Sequence, residues 1–292
     1  MTFSRILVPL DGSRLAEAVL PAACSIARKL GARLLLVHVL ERDSPVTVHG
    51  EPHLRGAHEA FTYLEEQAVL LRERGLTVEV HVHERPVTDV AAALAAHTRE
   101  LAADLIAMCA HGRSNLRTQL IGSIAERILR GGSVPILLRT VRRPNGASFE
   151  LRKLLVPIDF GHDVDTALAA ARTLATPYGA KLVLLAAPEP PAPTASRLLP
   201  ETTALTREFE LDDLRRGLAE LAQRLPADLD AQTVVVDASP TDAILDATEL
   251  LPADVIVLVT HAHAGLASWY DPSIGQRLLR HPDLTLVLIR EA

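Results

Sequence analysis

The fold is decided by a phrase that the chain contains twice. Arg5-Ile-Leu-Val-Pro-Leu-Asp11 returns as Lys153-Leu-Leu-Val-Pro-Ile-Asp159. The two copies stay in register, since Gly31-Ala-Arg-Leu-Leu-Leu36 is matched 148 positions later by Gly179-Ala-Lys-Leu-Val-Leu184. Self-similarity over such a distance indicates two copies of one fold.

The length agrees with a division into two domains, because 292 residues is about twice the roughly 150 residues of an ordinary domain. The Pro144-Asn-Gly146 triplet is typical of an exposed turn between domains. We therefore predict a first domain over residues 1–142, a linker over 143–150 and a second domain over 151–292.

Composition narrows the class of protein. Apolar residues make up 48% of the chain but aromatic residues only 3%, so the cores must be built from aliphatic side chains. The net charge is -6 and the chain has no run of Lys or Arg. Nonspecific binding to phosphate backbones needs a concentrated basic surface, which argues against a nucleic-acid partner.

The sequence shows few signals for membrane targeting or for disulfide and metal binding by cysteine. No apolar run reaches the roughly 18 residues of a membrane span, and the first residues lead directly into a strand. We expect a cytoplasmic protein without a membrane partner. Cys24 and Cys109 are too few for a disulfide framework and lack the paired spacing of a zinc site.

Short apolar runs alternate with segments of helical period, which predicts parallel strands joined by right-handed crossovers with helices on both faces. In the first copy the predicted helices are 14–30, 57–74, 88–101 and one that begins near Ile124. The predicted strands are Ile6–Leu10, Arg33–Val39, Thr77–His83, Leu105–Cys109 and Val134–Leu138, and in the second copy Leu154–Ile158, Lys181–Ala186, Thr233–Val236, Val255–Val259 and Leu284–Ile289.

A loop after the fourth predicted strand contains glycines at intervals and is the best candidate for a phosphate-binding segment. It runs from Gly112 to the pair Gly122-Ser123, which stands directly before a helix. Ligands of open parallel sheets lie beyond the carboxyl ends of the strands, and free backbone N–H groups at a helix start suit a phosphate. Taken alone, Gly-Ser before a helix more often indicates an ordinary N-cap than a phosphate site.

Together these residues resemble the universal stress protein family. The resemblance rests on Val8-Pro-Leu-Asp11-Gly-Ser13, on Val37-His-Val39 and on the loop from His111 to Ser123, and it covers both copies. Nucleotide-binding members carry Gly, two residues, Gly, nine residues, Gly and then Ser or Thr. In the first copy this pattern falls on Cys109, Gly112, Gly122 and Ser123, so the first glycine is replaced by cysteine.

The resemblance implies Rossmann-like α/β domains, each a five-stranded parallel sheet of order 3-2-1-4-5 with helices on both faces. It further implies that Asp11 and the backbone at Val39 hold adenine and ribose, that the glycine loop and the Ile124 amide hold phosphates, and that Arg113 screens their charge. The predicted nucleotide site, in the N-terminal domain only, comprises Pro9, Leu10, Asp11, Val39, Cys109, Gly112, Arg113, Gly122, Ser123 and Ile124.

The second copy departs from the pattern. Val259, Ala262 and Pro272 replace the three glycines, and only Ser273 remains. Because Pro272 has no N–H to offer a phosphate, we expect this copy not to bind ATP. In the family the last strands pair across a dimer axis, which implies an internal pseudo-dimer here; a homodimer of the whole chain stays open.

Three functions are compatible with these residues. The leading one is a stress-response sensor or regulator that binds ATP or a related adenine nucleotide. Its main rival is a nucleotide-free scaffold in which both pockets have decayed, favoured by Cys109. A weaker alternative is a metal or redox module built on His261 and His263, or on Cys109 with a lowered pKa. His81 and His83, which share one face of a strand, are a second possible pair of metal ligands. No Ser-His-Asp grouping, P-loop lysine or paired metal carboxylates is evident, so we expect no enzyme beyond slow ATP hydrolysis.

Overall fold

A computed structural model describes residues 1–44, 46–48, 51–110, 123–131, 134–140, 149–161, 163–188, 200–260, 278 and 284–290. None of the helices in these ranges is long and apolar enough to cross a membrane.

Strands and helices alternate through both halves. The N-terminal half contains β1 (Arg5–Pro9), α1 (Arg14–Glu17), α2 (Leu20–Leu30), β2 (Arg33–Glu41), β3 (Thr47–Val48), β4 (Glu51–Pro52), α3 (Ala57–Glu73), β5 (Val78–Val87), α4 (Val90–Glu100), β6 (Leu105–Cys109), α5 (Ser123–Gly131) and β7 (Ile136–Arg139). The C-terminal half contains β8 (Lys153–Pro157), α6 (Val164–Ala175), a 3-10 turn (Thr176–Tyr178), β9 (Lys181–Ala186), α7 (Pro200–Gln223), β10 (Ala231–Val235), α8 (Pro240–Leu250), β11 (Val255–Thr260) and β12 (Thr285–Arg290).

The matched glycines of the two copies end matched helical segments. Gly31 follows α2 with φ 66°, and Gly179 follows the 3-10 turn with φ 62°. Both conformations are left-handed, where a side chain is strained and glycine is not. Each glycine turns the chain directly into the second strand of its half.

Each half forms the predicted five-stranded parallel sheet. In the N-terminal half the spatial order is β5-β2-β1-β6-β7, and in the C-terminal half it is β10-β9-β8-β11-β12. Both are the order 3-2-1-4-5, and every pairing within a half is parallel. The predicted fold class is therefore confirmed.

The two sheets join into one sheet of ten strands. β7 pairs antiparallel with β12, with Leu138 opposite Leu286 and Ile136 opposite Leu288. The strands at the join are buried, because helices cover both faces of the sheet.

Alternating strand residues feed two aliphatic cores, one on each face of the sheet. Ile6 and Leu154 lie in the core under α2, α3, α6 and α7, whereas Leu7 and Leu155 lie in the core under α4, α5 and α8. Each core contains residues of both halves. The halves thus share their hydrophobic interior as well as their sheet.

The structure differs from the sequence-based elements in three places. The predicted helix over 14–30 is two helices, and Pro21 lies in the first turn of the second, where its missing N–H costs nothing. The strand predicted at Thr77–His83 extends to Val87 and includes Pro86, which is tolerated because β5 is an edge strand. The segment after β2 forms the short antiparallel pair β3-β4, which periodicity did not predict.

Candidate functional site

A cavity of about 200 Å³ lies at the carboxyl ends of β1, β2 and β6 in the N-terminal half. This is the position at which open parallel sheets bind ligands. Most of its lining is apolar. The lining residues are Pro9, Leu10, Asp11, Ala16, Val37, His38, Val39, Glu41, His53, Val90, Leu94, Met108, Cys109 and Ile124.

Six predicted site residues meet in this cavity. They share a place at the end of a strand or the start of a helix, and they are Pro9, Leu10, Asp11, Val39, Cys109 and Ile124. Ser123 begins α5, next to Ile124. Gly112, Arg113 and Gly122 lie outside the described residues.

The turn after β1 fixes the Asp11 carboxylate. Its Oδ1 accepts hydrogen bonds from the Ser13 N–H at 2.9 Å and from Ser13 Oγ at 2.7 Å. Ser13 Oγ in turn accepts from the Ala16 N–H at 3.1 Å and caps α1. One carboxylate oxygen is thereby held by the turn.

Gly12 brings a second segment over this turn. Its φ is 88°, and a β-carbon placed there would lie 2.9 Å from Cγ of Leu54. Only glycine therefore combines the left-handed backbone with the close approach of the Leu54 side chain.

Leu54 belongs to a cover formed by residues 46–48 and 51–56, which contains β3 and β4. The Arg14 N–H donates to Glu51 Oε2 at 2.6 Å, and the His53 N–H donates to the Val46 carbonyl at 3.1 Å. The first bond holds the cover against the start of α1, and the second joins two parts of the cover to each other. His53 is carried by the cover to the cavity, where it is 8% exposed.

The end of β2 places a second histidine beside the cavity. The Nδ1 atom of His38 lies 2.7 Å from the Leu10 carbonyl oxygen, and the His38 and His53 ring centroids are 6.2 Å apart. Burial is the main cause that lowers the pKa of His38, and the neighbouring His53 lowers it further, while the Leu10 carbonyl opposes the shift. His38 is therefore a neutral imidazole at neutral pH.

Cys109 closes the floor of the cavity at the end of β6. Its thiol is buried, and burial raises the pKa of Cys109 to about 12, although Arg139 lowers it in part. A protonated thiol is a small, weakly polar group rather than a nucleophile. The hypothesis of a redox-active Cys109 with a lowered pKa is not supported by this environment.

Helices α4 and α5 form the wall opposite the cover. Asp89 caps α4 by accepting from the Ala92 N–H at 2.9 Å, and its other oxygen bonds Arg127 of α5. These contacts hold the first turn of α5, with Ile124, beside Val90 and Leu94 of the cavity. The N–H groups of the first turn of a helix suit an anion.

The histidines proposed as metal ligands show other partners. Nδ1 of His83 lies 3.0 Å from Nε2 of His97, and Nε2 of His81 lies 3.6 Å from Glu79. Within the described ranges no group of three or more His, Cys, Asp or Glu side chains is arranged to hold a metal ion. His261 and His263 lie outside those ranges.

The equivalent edge of the second half is described only in part. Asp159 follows β8 and accepts from the Gly161 N–H at 2.9 Å, so it repeats the turn made by Asp11. Ala262, Pro272 and Ser273, on which the predicted loss of ATP binding depends, lie outside the described residues.

Sequence reasoning missed His38 and His53 as cavity residues. His38 interrupts an otherwise apolar strand, which is a signal for a specific role of a buried polar group. His53 had no such signal, because its place depends on how the cover folds back over the turn after β1.

Comparisons with known proteins agree with the fold. The model of the universal stress protein family matches residues 2–139 and, a second time, residues 150–290. A universal stress protein of Methanocaldococcus jannaschii is 27% identical over 148 residues, which are 49% of this chain and 84% of that protein. One from Bacillus subtilis is 25% identical over 150 residues, 47% of this chain and 98% of the relative.

A solved structure is similar over the whole length. The crystal structure of a universal stress protein from Archaeoglobus fulgidus superposes with a TM-score of 0.68 at 18% identity, covering 99% of this chain and 98% of that chain. At this identity the likeness concerns the fold alone.

Proposed function

The chain belongs to the universal stress protein family with two copies of the family's domain, and from this premise we propose that its N-terminal half binds ATP or a related adenine nucleotide. In this proposal the protein acts as a stress-response sensor or regulator, and the second half is structural. The observation that carries it is the cavity in which six of the predicted residues meet, at the ends of three strands and the start of α5.

The lining of the cavity suits a base and a ribose. Among the described lining residues most are apolar, and the charged side chains are the carboxylates of Asp11 and Glu41. Carboxylates accept hydrogen bonds from the hydroxyl groups of a ribose. Phosphates belong beside the first turn of α5 rather than among these carboxylates, since the helix start favours negative charge.

Cys109 is compatible with this arrangement. The thiol is neutral because burial raises the pKa of Cys109 to about 12, so it adds no charge that would repel a phosphate. Its side chain adds a sulfur to the apolar floor formed with Met108 and Val39.

The join between the halves supports an internal pseudo-dimer. The last strands, β7 and β12, pair antiparallel along Ile136–Arg139 and Thr285–Leu288. Pairing these two edges covers backbone groups that would otherwise invite other strands.

One experiment separates nucleotide binding from a nucleotide-free scaffold, the rival that the cysteine at position 109 favours. The protein is purified from cells and denatured, and the released small molecules are chromatographed. ATP is then titrated calorimetrically into the emptied protein and into Gly122→Val, with Gly146→Val in the predicted linker as the matched control. We expect saturable ATP binding that Gly122→Val abolishes and Gly146→Val retains.

The scaffold is favoured instead if no adenine nucleotide copurifies and millimolar ATP gives no saturable heat. If the Gly122→Val variant still binds ATP, the phosphates do not bind at the glycine loop.

A further inference from the structure

Two imidazole nitrogens are buried at the N-terminal cavity without a hydrogen-bond partner in the described part of the chain. They are Nε2 of His38 and Nδ1 of His53. The two side chains are 2% and 8% exposed, and both residues line the cavity. Buried polar atoms of native proteins nearly always have a partner, so these nitrogens point to a ligand.

The chemistry of His38 follows from its short hydrogen bond with Leu10, although the Leu54 backbone is also close enough to raise the pKa of His38. Its Nδ1 lies 2.7 Å from the Leu10 carbonyl oxygen, which can only accept, so Nδ1 carries the proton. The ring is neutral because burial lowers the pKa of His38. Nε2 therefore presents a lone pair and acts as an acceptor.

His53 reaches the same place from the cover. Its own N–H is bonded to the Val46 carbonyl, and the adjacent Leu54 packs on Gly12, so the ring is held over the cavity. Neither Lys nor Arg is among the described lining residues. Besides the two histidines, the ionisable side chains of the lining are the carboxylates of Asp11 and Glu41. With Nε2 of His38 and these two carboxylates as acceptors, the apolar cavity suits a flat ligand that carries an N–H donor.

We propose that His53 contacts the ligand in this cavity and that, with Nε2 of His38, it hydrogen-bonds the amine-bearing edge of a purine base. The assignment rests on the proposed function and adds residues that select an aminopurine over an oxopurine. A site built to bond one group rejects an analogue that presents the opposite polarity, because its buried atoms are then left unpaired.

The test compares ATP with ITP, which carries an oxo group in place of the amine. Both are titrated into the wild-type protein, His53→Phe, His53→Asn and His58→Phe. We expect the wild-type protein to bind ATP about tenfold or more tightly than ITP, and His53→Phe to lose about tenfold in ATP affinity. His53→Asn keeps a polar atom near the position of Nδ1 and should stay within about threefold. His58 is exposed on α3, so its variant should match the wild-type protein.

A second measurement does not depend on any variant being folded. In nitrogen-15 histidine spectra, the ring nitrogens of His53 should shift when ATP saturates the wild-type protein. The inference is overturned, and nucleotide binding stands, if ATP binds but His53→Phe binds it equally well, if ITP binds as tightly, or if the His53 signals stay unchanged. If the wild-type protein binds no ATP, the proposed function fails and the inference falls with it.

Discussion

Thr140 and Leu284 hydrogen-bond to each other reciprocally across the boundary between the halves. The N–H and the hydroxyl of Thr140 lie 2.8 and 3.1 Å from the Leu284 carbonyl, and the Leu284 N–H donates to Thr140 Oγ1 at 2.9 Å. Both residues are buried. The hydroxyl extends the β7–β12 ladder by one residue.

Replacing this hydroxyl by a methyl group should weaken the join. Thr140→Val keeps the shape of the side chain but leaves the buried Leu284 N–H without its partner, so we expect the free energy of unfolding to fall by about 1–3 kcal/mol. Urea denaturation followed by circular dichroism measures the change. Thr62→Val, which removes an exposed hydroxyl on α3, should cost less than about 0.5 kcal/mol; equal losses in the two variants would contradict the assignment.

The contact between Gly12 and Leu54 predicts that replacing Gly12 costs more stability than replacing Gly31. Gly12→Ala combines a left-handed backbone with a clash against Leu54, so we expect a loss of about 2–4 kcal/mol. Gly31→Ala has a similar backbone but nothing within 4 Å of its new β-carbon, and should lose about 1–2 kcal/mol. Thermal and chemical unfolding compare the two. Adding Leu54→Ala should narrow the gap, and a gap that stays unchanged would rule out the clash.

Cys109 should be unreactive in the folded protein. Since burial raises the pKa of Cys109 to about 12, only about one thiol in ten thousand is a thiolate at pH 8. In a Cys24→Ser variant, we expect iodoacetamide to label Cys109 slowly in buffer and rapidly in denaturant, as followed by mass spectrometry. Rapid labelling in buffer at pH 8 would revive the redox hypothesis.

Acid should destabilise the protein in part through His38. Its pKa is lowered by burial in the folded state and returns to about 6.5 on unfolding, so the unfolded chain takes up the proton first. This contribution is complete above pH 6.5 and is lost as the pH falls toward the folded pKa. His38→Asn can still donate to the Leu10 carbonyl but cannot titrate, and we expect it to lose less stability than the wild-type protein between pH 7.5 and 5.5. Urea denaturation at both pH values, with His58→Asn as control, measures the loss of stability. If His38→Asn and the wild-type protein lose equal stability, a group other than His38 causes the pH dependence.

The sheet was predictable because its signals are local and repeated. The phrase that ends at Asp11 and the glycine at position 31 each recur in the second copy, and each marks a strand end or a helix end that the structure reproduces. The order 3-2-1-4-5 came from the family resemblance rather than from periodicity. The break in the first helix had a local signal in Pro21, which predicts a helix start as readily as a kink.

The cover over the cavity was not predictable in the same way. The sequence of residues 46–56 shows neither a period of two nor one of 3.6. The position of residues 46–48 and 51–56 depends on contacts distant in sequence, such as that between Arg14 and Glu51. His53 therefore looked like one of many scattered histidines. Its neighbour in space, His38, was identifiable from its place within an apolar strand, but its orientation toward Leu10 required the fold.

The antiparallel join of β7 with β12 has a consequence for how the molecule changes over generations. In a symmetric homodimer every substitution appears on both sides of the axis, so neither partner can change alone. Here both partners lie in one polypeptide, and their pairing does not weaken on dilution because they are covalently held at high effective concentration. A substitution such as proline in place of glycine at position 272 thus alters one side only, and the other side keeps its own chemistry.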